Sequence, residues 1–132
     1  MEFRFEVTST GNRGSRAQLG QHELVFDMPP KAGGDGRGPG PLAVWLTSAA
    51  ACMHYFASGV FTKKGLPVEG LAIAVVARQV SEPNNHVDQL RFEITLPEGT
   101  DEATRAEVEA AVKRCPVHNT LHTPPPLEVA IV

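Results

Sequence analysis

Two cysteines are all that this chain of 132 residues contains. A secreted fold of that size held by disulfides would carry more. The pair therefore reads as redox groups, metal ligands or small apolar core residues. Basic residues are not in excess either: 12 Lys and Arg stand against 15 Asp and Glu, a formal net charge of -3. That balance argues against a nucleic-acid binder, which shows a basic patch or a high pI. The opening MEFRFEVTST has no basic stretch followed by an apolar run, so no signal peptide is expected and the cytoplasm is the expected location. The GxSxG, HExxH and Walker-type patterns are absent, and GGDGRGPG lacks the strand–Gly–helix spacing of a dinucleotide fingerprint. No cofactor is expected, and no internal repeat divides the chain. A hydrophobic share of 42% with 20% charged residues is ordinary for one soluble domain, expected over residues 1–132.

Charge is also missing locally. Between Gly38 and Thr62 there is no Asp, Glu, Lys or Arg, a stretch long enough to span a bilayer. It opens on GPGP and includes Thr47, Ser48, His54, Ser58 and Gly59, which weaken insertion. A helix apolar on every side can equally be the centre of a packed assembly, and no membrane span is expected.

Phe3, Phe5 and Val7 alternate with charged or polar neighbours, the period of a half-buried strand over Glu2–Thr8. After a polar turn, STGNRGSR, Ala17–Leu19 and Glu23–Phe26 flank Gly20-Gln21 as a hairpin. The Gly/Pro-dense MPPKAGGDGRGPGP should be irregular. Pro39 or Pro41 then suits the first turn of a helix. That helix should run to Lys64 and stop at Gly65, with Leu42, Trp45, Leu46, Ala49, Met53, Phe56 and Val60 as its stripe. Two long strands follow, the first with Leu71, Ile73, Val75 and Ala77 on one face, the second with Leu90, Phe92, Ile94 and Leu96. EPNN turns between them. A second helix should span Asp101–Arg114, ended by Pro116, which pushes Cys115 out of helical geometry. A short irregular or helical VHNTLH precedes a last strand at Leu127–Val132. Strand runs with segregated helices predict an α+β fold. The long apolar helix has more surface than one small sheet covers, which points to a dimer.

Cys52 lies mid-helix in TSAAACMHYF and Cys115 at a helix end in KRCPVHNTL. A free cysteine most often packs as a small hydrophobe. A helix C-terminus opposes a thiolate, so Cys115 suits a resolving role better than a nucleophilic one. Cys52 would need a cation brought by the fold to ionise near neutral pH. Arg13, Arg16 and Arg37 are the arginines in flexible sequence near the N-terminal strands, although most such residues are solvated charges. Cys52, His54, Cys115 and His118 make a conceivable zinc set. However, positions i and i+2 of a helix do not face one another, so Cys52 and His54 could not easily share an ion, and no metal is expected. His22 and His86 read as surface residues at strand ends.

GGDGRGPGPLAVWLTSAAAC, the helix ending TKKGLPVEG, RCPVHNTL before a final strand, and ELVFDMP ahead of the Gly-rich loop together resemble the OsmC/Ohr family along essentially the whole chain. The resemblance implies antiparallel sheets wrapped around two long central helices in an intertwined homodimer, with two active sites at the subunit interface. It implies a peroxidatic Cys52 and a resolving Cys115, acting on organic hydroperoxides and often hydrogen peroxide, with a dithiol reductant reopening the disulfide. It also implies an arginine from the N-terminal region, best matched by Arg13 and next by Arg16. In the family pattern a glutamate just ahead of the first cysteine holds that arginine. Here Leu42 and Ala43 stand in its place.

Three readings follow: a thiol peroxidase, a non-peroxidatic relative that binds a small apolar or thiol-bearing ligand at the dimer interface, and a structural dimer with two inert buried thiols.

Overall fold

Regular structure begins later than the alternation of the first residues suggests. A computed structural model describes residues 1–132. Its first strand, β1, is Val7–Gly11 and not Glu2–Thr8. A strand needs a hydrogen-bonded neighbour, and the register of β1 with the next strand starts at Val7↔Ala17. Phe3 and Phe5 stack on each other at 6.2 Å and stay 71% and 63% exposed. The same reason removes the expected last strand. Leu127–Val132 has no partner in the chain, and Leu127 and Ile131 are 90% and 101% exposed.

The chain forms two compact units, Met1–Trp45 and Leu46–Val132. In the first, β1, β2 (Gly14–Leu19) and β3 (His22–Phe26) make an antiparallel sheet in that order. Both β1 and β2 reach into the expected polar turn, leaving Asn12-Arg13 as its tip. The hairpin about Gly20-Gln21 forms as expected, with Leu19↔His22 as its last pair. The Gly/Pro loop holds one 3-10 turn, Pro30–Ala32, where full irregularity was expected. Proline fixes φ near the helical value and suits the first position of such a turn.

The long helix α1, Pro41–Lys63, starts on the expected proline and ends one residue early. Its buried side is Ala49, Ala50, Met53, Ala57, Val60 and Phe61, rotated from the expected stripe, with Leu42 and Trp45 exposed. A helix apolar around its whole girth carries no periodic signal of which side faces a core. No helix is long and apolar enough to cross a membrane.

In the second unit, β4 (Ala72–Val80) and β5 (His86–Thr95) pair antiparallel, with an irregularity at Arg78/Gln79. The expected alternation of β5 holds: Leu90, Phe92 and Ile94 are half-buried between exposed neighbours. His22 and His86 are exposed and open β3 and β5. Helix α2, Glu102–Val112, is capped by Asp101, whose Oδ1 accepts the Thr104 N–H at 2.7 Å. The Thr104 hydroxyl and then its N–H hold the Asp101 carboxyl below its usual range. Ala57, Val60, Phe61, Leu71, Val108 and Ala111 form the core of this unit, flanked by Phe56, Ile94, Leu96 and Val112. At the end of α1, Lys64 Nζ donates to Thr104 Oγ1 at 2.9 Å and pairs with Glu107 at 2.6 Å. Beyond α2 the chain re-forms a helix, α3, Pro116–His122. This architecture is the expected α+β class.

Candidate functional site

Cys52 sits on α1 beside Ala49 and Ala50, both buried, and is itself half-buried. Cys115 is fully buried at the junction between α2 and α3. Its backbone is extended, φ -62 and ψ 123, as the following proline requires. That turn aims its side chain back at α1: Cys115 Sγ lies 3.0 Å from Cys52 Sγ, across 63 residues of sequence. The Cys115 thiol donates a hydrogen bond to Cys52 Sγ.

Burial pushes the Cys52 thiol above its ordinary value of 9.0, and the hydrogen bond and charge of Cys115 add to the rise. One group opposes them, the backbone N–H of Val117. The expectation set Cys115 at a helix C-terminus, with VHNTLH after it irregular or helical. In fact it is the residue preceding a second helix, with Asn119 N–H bonding its carbonyl at 3.0 Å. The first turn of α3 thus turns an N–H toward Cys52. The signal in the sequence was Pro116, which suits the first position of a helix as well as the end of one.

The other expected site residues belong to the first unit. Arg13 Nη1 donates to the Ala32 carbonyl at 3.1 Å. Arg16 faces Glu23 at 3.8 Å, with both side chains about half exposed, a surface pair of little energetic weight. The first turn of α1 has no acidic residue; Leu42 and Ala43 stand where the resemblance implies a carboxylate. Asp27, at the end of β3, was not singled out from sequence. It is 2% exposed, and its carboxylate accepts N–H bonds from Met28 (2.7 Å), Arg37 (3.1 Å) and Asp35 (3.4 Å). The Met28 N–H, followed by that of Arg37, holds it below the usual carboxylate range against the opposing effect of burial. An aspartate directly before a Gly-rich loop was the available clue, since such a loop must satisfy its own N–H groups.

No three His, Cys, Asp or Glu side chains gather as metal ligands. The zinc set fails on position: of its four members, only the two sulfurs are brought together, while His118 bonds Asn119 Oδ1 and stacks with His122. A groove of about 760 Å³ in the second unit is lined by Tyr55, Phe56, Lys63, Glu107 and Arg114. Neither cysteine lines it, so it is not the thiol site.

The pattern described as OsmC-like protein matches residues 33–130. A hydroperoxide reductase of Mycoplasma pneumoniae is 29% identical over 128 residues, covering 92% of this chain and 89% of the relative. The crystal structure of an OsmC-like protein from Mycoplasma pneumoniae superposes with a TM-score of 0.69 at 26% identity, covering 94% of this chain and 91% of that one. An osmotic stress induced and detoxification response protein from Psychrobacter arcticus superposes at 0.76 with 22% identity, covering 93% and 90%, a likeness of fold. With most of its length matched, the chain belongs to the OsmC-like protein family.

Proposed function

We propose that this protein is a thiol-dependent peroxidase that reduces organic hydroperoxides, with Cys52 as nucleophile and Cys115 as resolving thiol. The observation that carries the reading is the 3.0 Å approach of a half-buried sulfur to a buried one. The name hydroperoxide reductase on the two Mycoplasma relatives supports a role in removing peroxides. In the first step the Cys52 thiolate attacks the terminal oxygen of ROOH. The O–O bond breaks, RO⁻ leaves and takes a proton to become ROH, and Cys52 becomes a sulfenic acid. Cys115 then attacks that sulfur, water leaves, and a disulfide forms. A dithiol reductant returns both sulfurs to thiols. Because burial and Cys115 raise the Cys52 thiol, the reading requires a cation to favour the thiolate, and Arg13 is assigned that task, with Arg16 next. The assembly in this reading is a homodimer of single OsmC-like domains, its two long helices central. The exposed Phe3, Phe5, Leu127, Val129 and Ile131, all in segments lacking a strand partner, support it.

The test is to add cumene hydroperoxide to a Cys115→Ser variant in the presence of dimedone. A dimedone adduct on Cys52 is expected; an unmodified Cys52 with all peroxide recovered would remove the nucleophile from the reading. The absence of a carboxylate from the first turn of α1 favours a second reading, a family member that binds a small apolar or thiol-bearing ligand. It predicts saturable ligand binding with no peroxide loss.

A further inference from the structure

We infer that Asp27 is a positioning residue for Arg13: its carboxylate gathers the Gly-rich loop so that the Ala32 carbonyl fixes the guanidinium in place of the missing glutamate. The inference rests on the reading that Arg13 serves Cys52.

The loop closes on Asp27 from both sides. Besides the three N–H bonds to its carboxylate, its own N–H donates to the Pro39 carbonyl at 3.1 Å, and Gly36 N–H donates to the Met28 carbonyl at 3.0 Å. The wrap leaves no room for a side chain. A Cβ on Gly34 would collide with the Met28 carbonyl and stand 2.6 Å from Asp27 Oδ1. The β1–β2 turn rests on the same loop and shares Asp35 with this wrap. Arg13 Nη1 bonds the Ala32 carbonyl at 3.1 Å. Asn12 Nδ2 donates to the Gly33 carbonyl at 3.1 Å and to Asp35 Oδ1 at 3.3 Å. Gly33 has φ 87, and a Cβ there would press on Arg13 Nη1 at 3.1 Å. Carboxylate, loop and arginine are therefore one mechanical unit.

The substitution has an electrostatic consequence. A glutamate anchor fixes an arginine but also neutralises much of its field. A carbonyl fixes the guanidinium by one hydrogen bond and leaves it a full cation. Arg13 makes no ion pair, and the charge of Asp27 is spent on backbone N–H groups. Arg13 thus keeps its charge for an anionic partner, provided that the loop is held.

The test measures the rate of Cys52 alkylation by iodoacetamide against pH, resolved to Cys52 by mass spectrometry, in the full-length reduced protein. The variants are Arg13→Ala, Asp27→Asn and their double. Asn12→Gly loosens the same loop from its exposed side and carries the test should Asp27→Asn not fold. An opposite charge close by favours the ionised form by about one to three pKa units. Arg13→Ala should therefore displace the Cys52 midpoint upward by about one pH unit or more. Asp27→Asn and Asn12→Gly should displace it in the same direction, and the double variant no further than Arg13→Ala alone. If Arg13→Ala moves the midpoint and the folded loop variants do not, or if the displacements add, Asp27 does not act through Arg13 and the inference falls. If Arg13→Ala itself moves nothing, the assignment of Arg13 to Cys52 fails, and the inference falls with it.

Discussion

Oxidising the reduced protein with one equivalent of cumene hydroperoxide should join Cys52 to Cys115 and raise its melting temperature substantially. The sulfurs start 3.0 Å apart and must close to about 2.05 Å. The bond closes a loop of 63 residues. On the chain-entropy account, a loop of that length removes about 4 kcal/mol of freedom from the unfolded chain. Unfolding entropy near 2.1 cal/mol/K per residue over 132 residues converts that to a rise of about 15 °C at most, less the cost of any native distortion. Scanning calorimetry at fixed protein concentration, before and after oxidation and with Cys115→Ser beside it, reads the effect. The concentration must be fixed because an associating chain melts higher when more concentrated. No rise on oxidation, or an equal rise in Cys115→Ser, would refute the pairing of these two thiols.

Three further outcomes follow from the same geometry. Replacing Cys115 by Ala removes two of the causes that raise Cys52, so Cys52 should alkylate faster at neutral pH and its midpoint should fall; an unchanged midpoint would show that burial acts alone. Because the folded Cys52 value lies above the unfolded one of 9.0, the unfolded chain ionises first. The stability due to Cys52 is complete below pH 9 and declines as pH rises through the folded value. Denaturant melts should show that decline in the reduced protein and lack it in the oxidised one. Phe61, at the centre of the second unit and 2% exposed, should cost about 3–5 kcal/mol when cut to Ala, with urea midpoints as the measure; a loss under 1 kcal/mol would contradict the assigned core.

What the sequence makes legible is what local chemistry decides. Pro41 and the lysines mark both ends of α1, Asp101 caps α2, Pro116 takes Cys115 out of helical geometry, and the alternation of β5 names its buried face. What depends on a partner is not legible. Phe3, Phe5 and Val7 alternate as a strand does, as do Leu127, Val129 and Ile131, yet pairing is not a property of one segment: the first strand begins only at Val7, and Leu127–Val132 forms none. The facing of α1 was hidden by its uniform apolarity. At the candidate site the two cysteines were visible as residue types. Their meeting depends on the α2–α3 junction, and the loop anchoring of Arg13 depends on a buried aspartate with no motif of its own.

The central claim is chemical, and the most direct measurement is turnover: the rate at which the reduced protein consumes cumene hydroperoxide with a dithiol reductant present, beside Cys52→Ser. The account predicts repeated turnover that vanishes in the variant. Consumption no faster than the variant's, from a folded protein with both thiols reduced, would contradict it and favour the ligand-binding reading of the same site.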